Sequence, residues 1–112
     1  MKMNAVWYPV SDWEAAKRFY GQTLGLRQTH VSDEQGWVAY ATGPVPLFLV
    51  RKPERAGIAG GAVVTLEVDD LEQVVSRLTA AGCQVEAQGE SSRIVTVYDP
   101  DGNMLEISLP VG

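Results

Sequence analysis

Hydrophobic and polar positions follow two different periods along the chain, and the same order of periods occurs twice. Apolar side chains recur at three- and four-residue spacing after position 12 and again after position 70, which is typical of one face of an amphipathic helix. Shorter runs rich in β-branched and aromatic residues surround both stretches and are typical of strands. The pattern therefore predicts two copies of a strand–helix–strand–strand–strand unit.

The first unit begins with a strand predicted over 5–10. A helix follows, with Ser11 or Asp12 as its N-cap, and Gly25 stands where this helix should end. The apolar face of the helix consists of Trp13, Ala16, Phe19, Tyr20 and Leu24. The three strands that complete the unit are predicted over 26–31, 37–41 and 47–50.

The second unit repeats this order, beginning with a strand predicted over 62–68. Asp69 or Asp70 caps its helix, and Gly82 ends it. The apolar side of the helix consists of Leu71, Val74, Val75 and Leu78. The remaining strands are predicted over 84–87, 94–98 and 104–109, and the sequence Asp-Pro-Asp-Gly at 99–102 indicates a tight turn before the last one.

Helices that alternate with groups of three hairpin-linked strands indicate an α+β fold. The length of 112 residues predicts a single domain over 1–112. Within it we expect module 1 at approximately 4–51, a Gly-rich linker at 52–61 and module 2 at approximately 62–110. The linker suits modules that pair within one chain and modules that exchange between two chains equally well.

Composition narrows the classes of partner. The net charge of −5 argues against a nucleic acid, because phosphate binding needs clustered Lys and Arg, and it is compatible with a cationic ligand. No apolar run is long enough to span a membrane, and no signal core follows the N-terminus, so we expect a cytoplasmic protein. The lone cysteine, Cys83, excludes an internal disulfide and is predicted to be a small buried apolar residue.

The chain resembles the vicinal oxygen chelate superfamily, which comprises glyoxalases, bleomycin resistance proteins and extradiol dioxygenases. The residues that carry the resemblance are Val10-Ser11-Asp12, Phe19-Tyr20, Leu24-Gly25-Leu26, Val68-Asp69-Asp70-Leu71, and Asp99-Pro100-Asp101-Gly102-Asn103 followed by Leu105-Glu106-Ile107. The resemblance covers essentially the whole chain. It implies two βαβββ modules that form an incomplete barrel with a concave ligand cleft.

The resemblance also implies where a metal would bind. Metal-dependent members hold a divalent ion with four side chains, from the first and last strands of each module. In this chain those positions fall on Ala5, Leu49, Val63 and Glu106, and only Glu106 has a ligating atom. We therefore expect no metal and no cofactor; the alternative is a divalent metal held with the help of Glu106. The one histidine, His30, lies on a strand from which the family does not usually draw a ligand.

Strand alternation provides candidates for the lining of the cleft. They are Trp7, Trp37, Leu49, Thr65, Glu67, Met104 and Glu106. Trp37 and Tyr40 should lie on opposite faces of their strand. Glu67 and Glu106 are the weak catalytic candidates, since paired carboxylates on adjacent strands can produce a general base. The alternative interpretation is that these side chains simply fill the cleft or a dimer seam.

Two main functional hypotheses follow. The first is a metal-independent protein of the bleomycin-resistance type, which holds a small organic molecule, apolar, aromatic or cationic, in the concave cleft or a dimer groove and contributes to antibiotic resistance. The second is a lyase, isomerase or dioxygenase-like enzyme that uses Glu106 with a divalent metal or as a general base. A structural or regulatory partner domain is a third hypothesis. The family and the open sheet edges also predict a homodimer.

Overall fold

The computed structural model describes residues 3–57, 63–87 and 93–110. The chain forms two compact units, Met1–Ile58 and Ala59–Gly112. In the described residues of each unit, a helical segment accompanies a four-stranded sheet, and the element order is βαβββ in both. The α+β class and the repeated module that the sequence predicts are therefore confirmed.

In the first unit, Asp12 is the residue that caps the helix, because its carboxylate accepts a 3.1 Å hydrogen bond from the backbone N–H of Ala15. The elements of this unit are β1 (Val6–Val10), α1 (Trp13–Arg18), β2 (Gln28–Ser32), β3 (Trp37–Tyr40) and β4 (Leu47–Arg51). The helix α1 continues into a wider π-helical turn, Phe19–Thr23, and Gly25 follows with a φ of +78° that favours glycine.

The sheet of the first unit has the strand order β1-β4-β3-β2, with β1 parallel to β4 and the other pairs antiparallel. The helical segment covers one side of it. On that side the ring of Tyr20 lies near the rings of Tyr8 and Tyr40, with centroids 6.4 Å and 6.2 Å away. This aromatic cluster and the apolar side chains beside it form the core of the unit.

The second unit has the elements β5 (Val64–Glu67), α2 (Leu71–Ala80), β6 (Val85–Ala87), β7 (Ile94–Tyr98) and β8 (Met104–Ser108). Its strand order is equivalent to that of the first, β5-β8-β7-β6, with β5 parallel to β8. Asp70 caps the helix by accepting a 3.0 Å hydrogen bond from the N–H of Gln73. The buried side chains of this unit include Leu71, Val74 and Leu78 of the helix and Val97, Leu105 and Ile107 of the sheet.

The predicted elements agree with the observed ones to within two residues at most of the ends that can be compared. The strand predicted to begin at position 62 and the linker predicted over 52–61 lie partly outside the described residues. Among the described residues, no helix is both long and apolar enough to cross a membrane.

Candidate functional site

The pairing of strands in the first unit brings aromatic side chains together on the side of the sheet away from the helix. Side chains of directly paired residues point to the same side of a sheet. Trp7 pairs with Phe48, and Trp37 pairs with Val50 on the same side. The ring centroids of Trp37 and Phe48 are 5.9 Å apart, and 41% of Trp7 is exposed. We call Trp7, Trp37 and Phe48 the aromatic face.

Leu49 does not lie on this face, so its predicted position beside Trp7 is wrong. It pairs with Tyr8 and Val38 and is 0% exposed, since the helical segment covers it. Every residue from 47 to 50 is apolar, so hydrophobicity alone did not show which side of β4 faces the helix. Phe48, which the sequence interpretation missed, occupies the position expected for Leu49.

Two cationic or titratable side chains lie near the aromatic face. The Arg55 guanidinium, in the turn that follows β4, lies 5.6 Å from the centroid of the Trp7 ring, within the range of a cation–π contact. His30 of β2 is paired with Ala39 and exposed. Because Ala39 is in turn paired with Phe48, His30 points to the same side of the sheet. The Arg55 guanidinium therefore lies at the β1 edge of the sheet, and the His30 imidazole lies at the opposite, β2 edge.

In the second unit, Thr65, Glu67, Met104 and Glu106 share one face of the sheet, which is the placement that alternation predicts. Thr65 pairs with Glu106, and its hydroxyl donates a 3.1 Å hydrogen bond to a carboxylate oxygen of Glu106. Glu67 pairs with Ser108 instead, so the two carboxylates are diagonal neighbours and not direct partners. Their role in binding or catalysis stays a prediction.

A separate polar cluster fixes the helix of the first unit to the turn between β2 and β3. One Asp33 oxygen accepts hydrogen bonds from the Lys17 ammonium and the Trp13 indole N–H, both at 2.8 Å. The bond from Lys17, followed by that from Trp13, lowers the pKa of Asp33; the same Asp33 contact raises the pKa of Lys17. These groups are engaged with one another, so we assign the cluster a structural role.

Two open grooves lie beside the helices and contain none of the predicted site residues. The first, about 410 Å³, lies along α1 and the π-helical turn, with Tyr40 beneath it. Burial raises the pKa of the Tyr40 phenol. The second, about 460 Å³, lies between α2 and its sheet and is lined in part by Leu71, Val75, Val95 and Leu109. The aromatic face is therefore the stronger candidate, because it presents large apolar side chains to solvent.

The sequence model of the Glyoxalase/Bleomycin resistance protein/Dioxygenase superfamily matches residues 2–107. The chain belongs to this superfamily. Solved structures of similar proteins have the same fold over nearly their whole length. TnmS3, an antibiotic binding protein from Streptomyces sp. CB03234, is 28% identical with a TM-score of 0.77, covering 99% of this chain and 97% of that one.

Two further relatives match over nearly the whole of this chain and of their own length. A glyoxalase/bleomycin resistance protein from Streptomyces sp. CB03234 is 29% identical with a TM-score of 0.71, covering 94% of this chain and 98% of that one. YraH, an uncharacterized protein of Bacillus subtilis (strain 168), is 24% identical over 96% of this chain and 97% of its own. The similarity therefore extends over both βαβββ units.

The donor set of this superfamily member does not fit the four-ligand metal site that the resemblance implies. Ala5 and Val63 have hydrocarbon side chains, and the β4 position carries Phe48 on the face away from the helix and Leu49 on the other. Glu106 alone retains a carboxylate. Among residues 3–57, 63–87 and 93–110, no three His, Cys, Asp or Glu side chains are close enough to hold a metal ion.

Proposed function

We propose that this protein is a metal-independent small-molecule-binding member of the superfamily that holds an apolar or aromatic ligand against the aromatic face. The observation that carries the proposal is the 41% exposure of Trp7 on a face that also presents Phe48 and Trp37. Water contact with a large apolar side chain is unfavourable, and flat aromatic molecules stack well on indole and phenyl rings. A ligand that covers Trp7 would remove this exposed surface from water.

Two further observations support this class of function. The hydrocarbon side chains of Ala5 and Val63 favour binding by stacking and burial over chelation. The similarity to TnmS3, an antibiotic binding protein, supports an antibiotic as the class of ligand and sequestration as the route to resistance. We also propose that the protein is a cytoplasmic homodimer whose ligand lies in the concave cleft or in a groove between subunits.

The experiment that tests the proposal is a tryptophan-fluorescence screen of aromatic antibiotics, followed by titration of each hit. We expect saturable quenching by at least one compound without turnover, and loss of that affinity in Trp7→Leu. Trp13→Phe is the matched control, because Trp13 is nearly buried on the helix and contacts Asp33. The proposal would be contradicted if no aromatic compound bound, or if Trp7→Leu bound the hits with the same affinity as wild type.

Separate measurements test whether the protein depends on a metal and whether it forms a dimer. Elemental analysis of protein purified without a chelator should find no stoichiometric divalent metal, and ligand affinity should be unchanged by EDTA. One metal ion per chain would contradict the metal-independent class. Light scattering should give twice the mass of the chain, and a monomer at micromolar concentration would contradict the dimer.

A second candidate function is an enzyme of the lyase, isomerase or dioxygenase type. The hydrogen bond from Thr65 to Glu106 favours it, because a bond from a neighbouring hydroxyl orients a carboxylate for use as a general base or metal ligand. In that case Glu106→Gln should abolish turnover of a substrate, whereas Glu67→Gln on the same face should retain it. Turnover by Glu106→Gln at the rate of wild type and of Glu67→Gln would eliminate Glu106 as the catalytic group.

A further inference from the structure

We propose that the ligand of the aromatic face is an aromatic molecule with an anionic group, such as a carboxylate or sulfonate, that binds the Arg55 guanidinium. This inference rests on the function proposed above and specifies the class of ligand. It differs from the expectation that the net charge of −5 supports, which is a cationic ligand. The difference arises because the charge beside Trp7 is opposite in sign to the charge of the whole chain.

The position of Arg55 carries the argument. Its guanidinium lies 5.6 Å from the centroid of the Trp7 ring, and both side chains are exposed. A cation therefore already lies beside the indole, which remains 41% exposed. A cationic ligand that approached Trp7 would meet the like charge of Arg55, whereas an anionic ligand would be attracted by it.

Within the described residues, no carboxylate forms an ion pair with this arginine. The β3–β4 partners of Phe48 and Trp37 are Ala39 and Val50, which carry no charge. The carboxylates of Glu14 and Asp33 form ion pairs with Lys17, on the helix side of the sheet. The five N–H donors of the Arg55 guanidinium thus remain available for a two-point hydrogen bond to a ligand carboxylate.

The local cation outweighs the net charge at contact distance. Charges exposed to physiological salt are screened over roughly 8–10 Å, so a carboxylate ligand interacts mainly with charges near its own binding position. The net negative charge slows the approach of an anion, but the contact with Arg55 determines how firmly it is held. A ring stacked on Trp7 and an acid group against Arg55 would together fix the orientation of the ligand.

Three naphthalene probes that share one ring system test the inference. They are 2-naphthoate, neutral 2-naphthamide and cationic 2-naphthylmethylammonium, each titrated into the whole protein by calorimetry. We expect 2-naphthoate to bind at least about tenfold more tightly than 2-naphthamide, since a charge-assisted hydrogen bond is worth this much. The ammonium probe should bind most weakly of the three.

Variants of exposed arginines separate this inference from the function on which it rests. Arg55→Gln should reduce the preference for 2-naphthoate over 2-naphthamide to near unity, and Arg55→Lys should retain part of it. Arg27→Gln, which removes another exposed arginine from the same unit, is the matched control and should leave the preference intact.

The outcomes distinguish the two proposals. Equal binding of the three probes with affinity lost in Trp7→Leu would overturn the anionic ligand and leave the aromatic face in place. Tighter binding of the ammonium probe, or an unchanged preference in Arg55→Gln, would overturn the role of Arg55. Absence of binding by all three probes, together with a negative antibiotic screen, would overturn both.

Discussion

The indole nitrogen of Trp13 donates a 2.8 Å hydrogen bond to a carboxylate oxygen of Asp33, 20 positions further along the chain. The same oxygen accepts the Lys17 ammonium at 2.8 Å, so two residues of one helix meet one residue of the β2–β3 turn. Arg51 adds a guanidinium 5.6 Å from the Trp13 ring. This contact fixes the helix against the sheet and thereby buries the side of the sheet opposite the aromatic face.

The lowered pKa of Asp33 predicts a pH dependence of stability. Above the ordinary value of 3.8, the carboxylate is ionised in both folded and unfolded states, and its contribution is complete. As pH falls below 3.8 the unfolded state takes up the proton first, and the contribution is lost as pH falls through the lower folded-state pKa. Thermal melts should therefore show that Asp33→Asn is less stable than wild type at pH 7, with a smaller difference at pH 2.

The control for Asp33 is Glu34→Gln, which changes the neighbouring exposed carboxylate. At pH 7 its melting temperature should fall less than that of Asp33→Asn, because the hydrogen bonds from Lys17 and Trp13 go to Asp33. A constant difference for Asp33→Asn from pH 7 to pH 2 would show that Asp33 contributes no pH-dependent stability.

Leu49 and Phe48, which are adjacent on β4, should respond differently to truncation. Leu49→Ala should lower the free energy of unfolding by about 2–5 kcal/mol, because Leu49 is 0% exposed in the core. Phe48→Ala should lower it less and should weaken binding of an aromatic probe, because Phe48 is half-buried on the aromatic face. Urea unfolding measures the change in stability, and calorimetric titration measures the change in affinity. A larger loss of stability in Phe48→Ala than in Leu49→Ala, with weaker binding only in Leu49→Ala, would contradict the observed strand register.

Asp99 should be essential to the turn between β7 and β8. It is 4% exposed, and its carboxylate accepts the backbone N–H groups of Asp101 and Asn103 and the side-chain amide of Asn103. Asp99→Ala should cost about 2–3 kcal/mol in urea unfolding, since it leaves these donors without their acceptor. Asp101→Ala retains the backbone N–H and should cost clearly less; equal losses would refute this role for Asp99.

Cys83 should behave as a structural residue with low reactivity. The sequence predicts a buried residue, whereas Cys83 is half-buried in the structure, and this partial burial raises the pKa of its thiol and reduces the fraction of reactive thiolate at neutral pH. Iodoacetamide should therefore alkylate the native protein severalfold more slowly than the urea-unfolded chain at the same pH. Mass spectrometry follows the reaction, and equal rates in the two states would contradict a structural role.

The order and type of the elements were predictable because local chemistry encodes them. Asp12 and Asp70 each precede an apolar-periodic stretch and each caps a helix in the structure. The sequence predicts that Gly25 ends the first helix, and Gly25 adopts a positive φ there. These signals depend on a few neighbouring residues, so they can be read without knowledge of the tertiary structure.

The positions that the sequence did not reveal depend on contacts between distant residues. The run from Leu47 to Val50 is apolar on both sides, so the choice between Phe48 and Leu49 is made by pairing with Trp7 and Tyr8 of β1. The π-helical turn at Phe19–Thr23 lies within an unbroken helical pattern of apolar residues, so the sequence pattern does not distinguish it from an α-helix. The position of Arg55 over Trp7 likewise joins a turn to a strand 48 positions earlier.

The parallel pairing of the first and last strands in each unit has a consequence for how the chain folds. Val6 pairs with Leu47 and Val64 pairs with Leu105, so both sheets close over the same separation of 41 positions. The entropic cost of closing a loop depends on its length, and it is therefore nearly equal for the two halves. Any difference in the order or rate of their folding must arise from the side chains that each half buries.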